Sequence, residues 1–343
     1  MGRISLYRIN RSSLSNDINK PFLLKPVGKD YLWGGERLNY DFGKNIPLTP
    51  LAETWECSTH PDGPSTVVSG PFSGLSLSEV LKMHPEFMGT NPENKTELPI
   101  LIKFIDAKKD LSVQVHPDDE YARENENGQL GKTEMWYVLD ASADAKLVYG
   151  LHHKTDRDKI KTAIENGTLE KYLQKVRIKK DDVFYIKAGT IHAIGAGALI
   201  AEIQENSNLT YRLYDYDRID KNGKKRPLHV EKALAVADLE GSKSPRQPMR
   251  VLKYQPGWAS ELLCRCKYFQ VERIMLNTET NQAMVAIQTG STSFIALLCV
   301  GGCGVIFYGD EVLPFFKGDC IFVPADSVEM HIHGKASMLR VSC

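Results

Sequence analysis

The strongest constraint on what this chain can fold into is its rhythm: short apolar or alternating runs, each closed by Gly, Pro, Asn or Asp. LPILIKFIDA, LSVQVHP, EMWYVLDA, AKLVYGL, DVFYIKAG and ALIAEIQE all have this form. Branched and aromatic side chains pack well on a pleated surface and the closing residues favour turns, so these runs predict strands. Three segments break the rhythm, 77–88, 119–127 and 156–176. The last carries Ile160, Ala163, Ile164, Leu169, Tyr172 and Leu173 at helical spacing, and all three predict helices. Many close-set strands with few helices between them argue against a βαβ sheet. They predict a mainly β protein, a sandwich or barrel, with a few helices inserted in its N-terminal half.

A weak internal repeat sharpens this expectation. Residues 182–192, DVFYIKAGTIH, align without gaps on 319–329, DCIFVPADSVE. Each copy follows a predicted strand pair joined by small or acidic turn residues, EMWYVLDASADAKLVYG in the first and FIALLCVGGCGVIFYG in the second. One barrel unit is therefore expected twice. Residues 1–20 predict a flexible extension, 21–240 a first domain with the helical insertions, and 241–256, rich in Ser, Pro, Lys and Arg, a linker. Residues 257–343 predict a second, degenerate barrel.

With 343 residues and 42% hydrophobic content the chain can bury a core of that size. Its 43 Lys plus Arg balance 43 Asp plus Glu, so no nucleic-acid or membrane partner is expected, and an anionic ligand must be caught locally. No apolar run approaches the roughly 18 residues of a membrane span, and residues 1–20 lack the apolar middle of a signal peptide, so the expected compartment is the cytoplasm. Seven cysteines, an odd number with six of them late in the chain and no zinc-ribbon spacing, argue against a disulfide framework, and Cys264 and Cys266 in their apolar stretch are expected to be buried reduced thiols. The sequence assigns no oligomeric state.

The chemistry lies in three of the runs. In L-S-V-Q-V-H-P the strand period of two sends Ser112, Gln114 and His116 to one face and Leu111, Val113 and Val115 to the other. Glu134 opens the apolar run E-M-W-Y-V-L, where a carboxylate is costly to bury unless paired or bound to a metal. His192 follows a Gly-containing turn in A-G-T-I-H-A-I. Two imidazoles, one carboxylate and an amide oxygen suit one divalent ion, zinc first, with iron, manganese or cobalt fitting the same donors. The strand order of the donors, His, Glu, His, resembles that of the cupin family, whose barrels are double-stranded β-helices or jelly rolls. The C-terminal copy has Glu329 in the place of His192 and Ser293 or Phe294 near that of Glu134, so no metal is expected there.

The sequence more closely resembles type I phosphomannose isomerases in their short bacterial form. The resemblance rests on Y-L-W-G-G at 31–35, E-T-W-E-C-S at 53–58, L-P-I-L-I-K-F-I-D-A, L-S-V-Q-V-H-P-D-D, G-K-T-E-M-W-Y-V, I-K-A-G-T-I-H-A-I, N-L-T-Y-R-L-Y-D-Y-D-R and H-V-E-K-A-L, which cover most of residues 21–238. It implies a zinc-type ion on His116, Glu134, His192 and Gln114, and a phosphorylated hexose substrate, mannose 6-phosphate interconverting with fructose 6-phosphate. It carries the family's catalytic arginine onto Arg212 and positions near the substrate onto Lys103, Ser112, Lys132 and Glu202. An aldose–ketose exchange moves a proton between two carbons through an enediol or enediolate, and both Glu202 and Lys132 are candidates to carry it. Ser112 suits a phosphate contact, whereas Trp33 and Glu56 are expected to buttress the fold. The alternatives are another metal cupin, such as a dioxygenase, and a sugar-binding regulator without turnover.

Overall fold

The structure is a computed structural model and describes residues 18–219, 223–241, 245, 250–280 and 284–343. The predicted extension therefore lies outside the described residues up to position 17, as does most of the linker core at 242–244 and 246–249. Among the described residues no helix is long and apolar enough to cross a membrane.

The protein is mainly β and its strands pair antiparallel. One sheet has the order Val183–Ile186, Glu134–Ala141, Ala198–Glu205, Ile100–Asp106, Glu53–Cys57, Val27–Lys29. A second has the order Tyr211–Tyr214, Val113–Val115, His192–Ile194, Lys146–Leu151, Leu173–Arg177. The period of two decides what each face meets. Along Glu134–Ala141, Met135, Tyr137 and Leu139 join a core shared with the C-terminal third, while Trp136 and Val138 join a second core. Ile105 and Ile200 enter that second core from neighbouring strands, and Leu147 and Ile194 enter it from the other sheet. Buried on both faces, these strands carry the near-continuous apolar runs seen in the sequence.

A ten-stranded sheet gathers the C-terminal strands, running from Lys253–Gln255 through Trp258–Arg265, Gln270–Asn277, Met330–Ser342 and Ile295–Tyr308 to Cys320–Val323. Phe22–Lys25 pairs with Cys320–Val323, and Thr66–Val67 pairs with Phe22–Lys25. Two strands from the first region thus complete the C-terminal sheet.

Helices form at the three expected places, with one correction. Leu77–Met83 begins with a capping box from Ser76 and Glu79, and Asp119–Asn125 begins on the side-chain cap of Asp118. The helix predicted over 156–176 runs only over Arg157–Glu165; a 3-10 turn at Leu169–Lys171 follows, then the strand Leu173–Arg177. Gly167, at φ 64°, breaks the helix, and pairing with Lys146–Leu151 overrides the helical spacing beyond it. The second predicted strand pair is also different. Ile295–Tyr308 is one continuous strand that only shifts register between Cys299 and Gly301, whereas Glu134–Ala141 and Lys146–Leu151 are separate strands.

Candidate metal centre

Four strands of the first sheet and three of the second deliver polar side chains into one end of the otherwise apolar second core. In the first sheet Trp55 lies opposite Lys103, Lys103 opposite Glu202, and Glu202 opposite Trp136. In the second, Arg212 lies opposite Gln114, and Gln114 opposite His192. The alternation that keeps Val113 and Val115 in an apolar cluster beneath the sheet turns Gln114 the other way.

His116, Glu134 and His192 are all buried, and one ligand atom from each lies within 4.8 Å of the others. His116 Nε2 is 3.3 Å from Glu134 Oε1, and His192 Nε2 is 3.6 Å from Glu134 Oε2. His192 Nδ1 bonds the Thr190 carbonyl at 2.8 Å, which puts the proton on Nδ1 and leaves the Nε2 lone pair free toward Glu134. The Gln114 amide lies 3.3 Å from the same Nε2. Both oxygens of Glu134 are buried; Oε1 is ion-paired to Lys132 Nζ at 2.6 Å, and Oε2 accepts no hydrogen bond. Two imidazoles and a carboxylate whose Oε2 is left without a donor fit a divalent ion. Burial and then the neighbouring Lys132 push the His116 imidazole down to about 3, so its lone pair is available at neutral pH. Burial alone would raise the Glu134 carboxyl; Lys132, His116 and His192 outweigh it and hold the group well below its ordinary value.

Lys132 Nζ lies 2.6 Å from Glu134 Oε1 and 3.5 Å from His116 Nε2. Its backbone is pinned beneath the site, where its N–H donates to Pro117 O at 3.0 Å. A cavity of about 320 Å³ opens beside these groups. Lys103, Ser112, Gln114, Lys132, Glu202 and Arg212 all line it. Arg212 Nε donates to Ser112 Oγ at 3.2 Å and Nη1 to Pro227 O at 3.0 Å. Trp136 Nε1 donates to Glu202 Oε2 at 2.8 Å, and Lys103 Nζ stands 3.5 Å from the other oxygen. Burial first, then the nearby Glu134, raises the Glu202 carboxyl.

The structure thus gathers every site residue named from the sequence around one cavity or its buried floor, and adds others. Glu53 lines the wall, accepts from Trp55 Nε1 at 2.8 Å and lies 3.6 Å from Lys103 Nζ. Tyr31, Asn208, Thr210 and Arg226 line it too. Trp33, expected only to buttress the fold, is part of this wall. Glu56 is on the opposite face of its strand, buried against Lys44 at 2.6 Å. The signal for Glu53 was present in the sequence: like Glu134, it is a carboxylate opening a buried strand.

Fold and site together define a mainly β protein whose His116, Glu134 and His192 can hold a divalent ion beside a cavity lined by Lys103, Lys132, Arg212 and Arg226. Comparison with known proteins narrows that class. The model of the phosphomannose isomerase type I catalytic domain matches residues 22–155, and that of the mannose-6-phosphate isomerase cupin domain matches residues 260–343. Mannose-6-phosphate isomerase ManA of Bacillus subtilis is 38% identical over 323 residues, 93% of this chain and 98% of that protein. The crystal structure of the mannose 6-phosphate isomerase from Bacillus subtilis superposes with a TM-score of 0.86 at 36% identity, covering 94% of this chain and 99% of that one. A zinc-bound mannose 6-phosphate isomerase shares the fold at a TM-score of 0.71 and 17% identity, covering 94% and 99%. The chain belongs to the type I phosphomannose isomerase family.

Proposed function

We propose that this chain interconverts D-mannose 6-phosphate and D-fructose 6-phosphate as a metal-dependent aldose–ketose isomerase. The observation that carries the reading is one cavity lined by Arg212, Lys103, Lys132, Gln114 and the buried carboxyl of Glu202, of which Gln114 and Lys132 touch the buried His116, Glu134, His192 donor set. Family membership and the activity named for its relatives support the substrate. The dioxygenase and sugar-binding alternatives are not favoured, because the matching family is one of isomerases.

Zinc would be held by His116, Glu134 and His192 with Gln114 as fourth donor, and when bound it supplies a Lewis acid for negative charge developing on the sugar oxygens. The remaining work belongs to the chain's side chains. Glu202 is the proton carrier that the arrangement favours: burial raises its carboxyl, and the Trp136 N–H and Lys103 hold its two oxygens in place. Lys132, the other candidate, is engaged with Glu134. Arg212 stays protonated, is aimed by its bonds to Ser112 and Pro227, and opposes charge building on the enediolate. Ser112, Lys103, Lys132 and Arg212 form the basic wall for the phosphate dianion.

The two units expected from the repeat are part of the same proposal: two cupin barrels, 21–240 and 257–343, joined by 241–256, with no metal site in the second. Strand order supports it. Cys320–Val323, Ile295–Tyr308, Met330–Ser342, Gln270–Asn277, Trp258–Arg265 and Lys253–Gln255 neighbour one another as the six strands of the first sheet do. Phe294, near the place of Glu134, stacks on Phe322 in the core. Phe22–Lys25 crosses the division to complete the second unit. Every cysteine is a free thiol, which suits the reducing cytoplasm.

The test is an assay of fructose 6-phosphate formed from mannose 6-phosphate, with unphosphorylated mannose as the control. Turnover of the phosphosugar alone is expected, and Arg212→Ala lowers kcat by about 10²–10³-fold. No turnover of the phosphosugar, or an Arg212→Ala variant as fast as the parent, contradicts the reading.

A further inference from the structure

Lys132 sits in a loop whose backbone is held from outside the cavity. Gly131 N–H donates to Asp119 Oδ1 at 3.1 Å, and Thr133 N–H donates to Glu205 Oε2 at 2.7 Å. Asp119 and Glu205 also hydrogen bond to each other through their side chains. Two carboxyl groups joined in this way hold one proton between them, because a carboxylate only accepts. The pair therefore grips the amides on both sides of Lys132, one residue short of the metal donor Glu134. The C-terminal third reaches the same spot: Tyr268 donates its hydroxyl to Asp119 Oδ2 at 3.1 Å, and Lys267 Nζ lies 3.4 Å from that oxygen.

We propose that the Asp119–Glu205 carboxyl pair, completed by Tyr268, is a positioning clamp that fixes Lys132 and Glu134 beneath the cavity and opens when the shared proton is lost. Neither carboxylate touches the cavity, so neither is a catalytic residue. The groups facing Glu205 are Asp119 from its helix, Thr133 from the loop, Tyr185 from the strand Val183–Ile186, and Tyr268 from the C-terminal third, where Lys267 also faces Asp119. Among these only Thr133, through its amide and its hydroxyl, donates bonds that favour Glu205 as an anion beside Asp119, and burial and the Asp119 charge outweigh them. Burial, then Asp119, accordingly raises the Glu205 carboxyl to about 8. Above that pH two adjacent carboxylates repel, and the grip on the loop weakens. The clamp also gives the C-terminal third a part in the site: through Tyr268 and Asp119 it bears on the loop that carries Lys132.

The inference rests on the isomerase reading for its activity readout, and amide exchange tests it without that reading. On the full-length, metal-loaded chain, exchange protection at Gly131 and Thr133 is expected to fall as pH rises through about 8. Glu205→Gln keeps an amide N–H for Asp119 and a carbonyl for Thr133 but has no proton to lose. Its kcat at neutral pH stays within about twofold of the parent, and the parent's decline in kcat above pH about 8 is absent. Glu205→Leu removes both bonds, so protection at Thr133 is lost and kcat falls by about tenfold to a hundredfold while the thermal midpoint still shows a folded chain. An alkaline decline in Glu205→Gln identical to the parent's overturns the proposal. Unchanged protection at Thr133 in Glu205→Leu overturns it too. Should Glu205→Leu not fold, the pH profile of Glu205→Gln decides. Should the chain not turn over mannose 6-phosphate, the pH dependence of amide protection decides.

Discussion

Glu134 and Glu202 are both buried carboxyls on one face of one sheet, yet their surroundings push them in opposite directions. Lys132 and two imidazoles hold Glu134 ionised and ready to ligate, whereas burial and Glu134's own charge keep Glu202 inclined to hold a proton. Trp136 is the residue that separates these roles, since its N–H is aimed at Glu202 Oε2. Trp136→Phe keeps most of the packing and removes that donor. It is expected to cost about 1–3 kcal/mol in denaturant unfolding and to move the acidic limb of kcat to higher pH, because the ionised carboxylate loses a bond. An unmoved acidic limb would take Glu202 out of the proton-carrying role. At this scale the sequence made part of the site legible. His116 and Gln114 were readable because the period of two put them on one face, and Glu134 because a carboxylate opens an apolar strand. Glu53 was not singled out: E-T-W-E-C carries two buried carboxylates on opposite faces, and only the sheet order shows that Glu53 meets Lys103 while Glu56 meets Lys44.

Elements set how firmly the site residues are held. The loop carrying Lys132 packs its backbone directly on the start of the helix Asp119–Asn125, and at Gly131 an added Cβ would run into the Asp118 carbonyl carbon and the Asp119 nitrogen. Gly131→Ala must therefore move backbone against backbone. A loss of about 1–3 kcal/mol is expected from such overpacking, together with a lower kcat as Lys132 and Glu134 shift. Parent-like melting and turnover would show that the loop is free to adjust. Strand existence was legible from alternation, but the extent of the 156–176 segment was not. Its apolar spacing fits a helix throughout, and what converts 173–177 to a strand is pairing with Lys146–Leu151, a contact remote in sequence. The continuous strand Ile295–Tyr308 was missed for a similar reason, since at its glycines the pairing shifts register and the strand does not end.

In the whole molecule the largest buried cluster spans the parts that the sequence separates. Phe104, Met135, Tyr137 and Ile203 from the first region pack in one core with Phe269, Phe294, Phe322 and Leu339 from the C-terminal third. The outer face of the metal-bearing sheet is thus a floor that the rest of the chain must cover. Removing residues 257–343 bares that floor and deprives Phe22–Lys25 of its partner strand, so the shortened chain is expected to aggregate, with static light scattering as the check. A monodisperse, folded fragment would mean that the first region stands alone. The claim on which the whole account turns is the metal held by His116, Glu134 and His192, and its most direct measurement is zinc content and mannose 6-phosphate turnover on the same chelator-treated sample. The account predicts that one equivalent of zinc restores turnover to the parent protein and neither binds to nor activates Glu134→Gln. Full turnover by metal-free protein, or equal zinc uptake by Glu134→Gln, would contradict it.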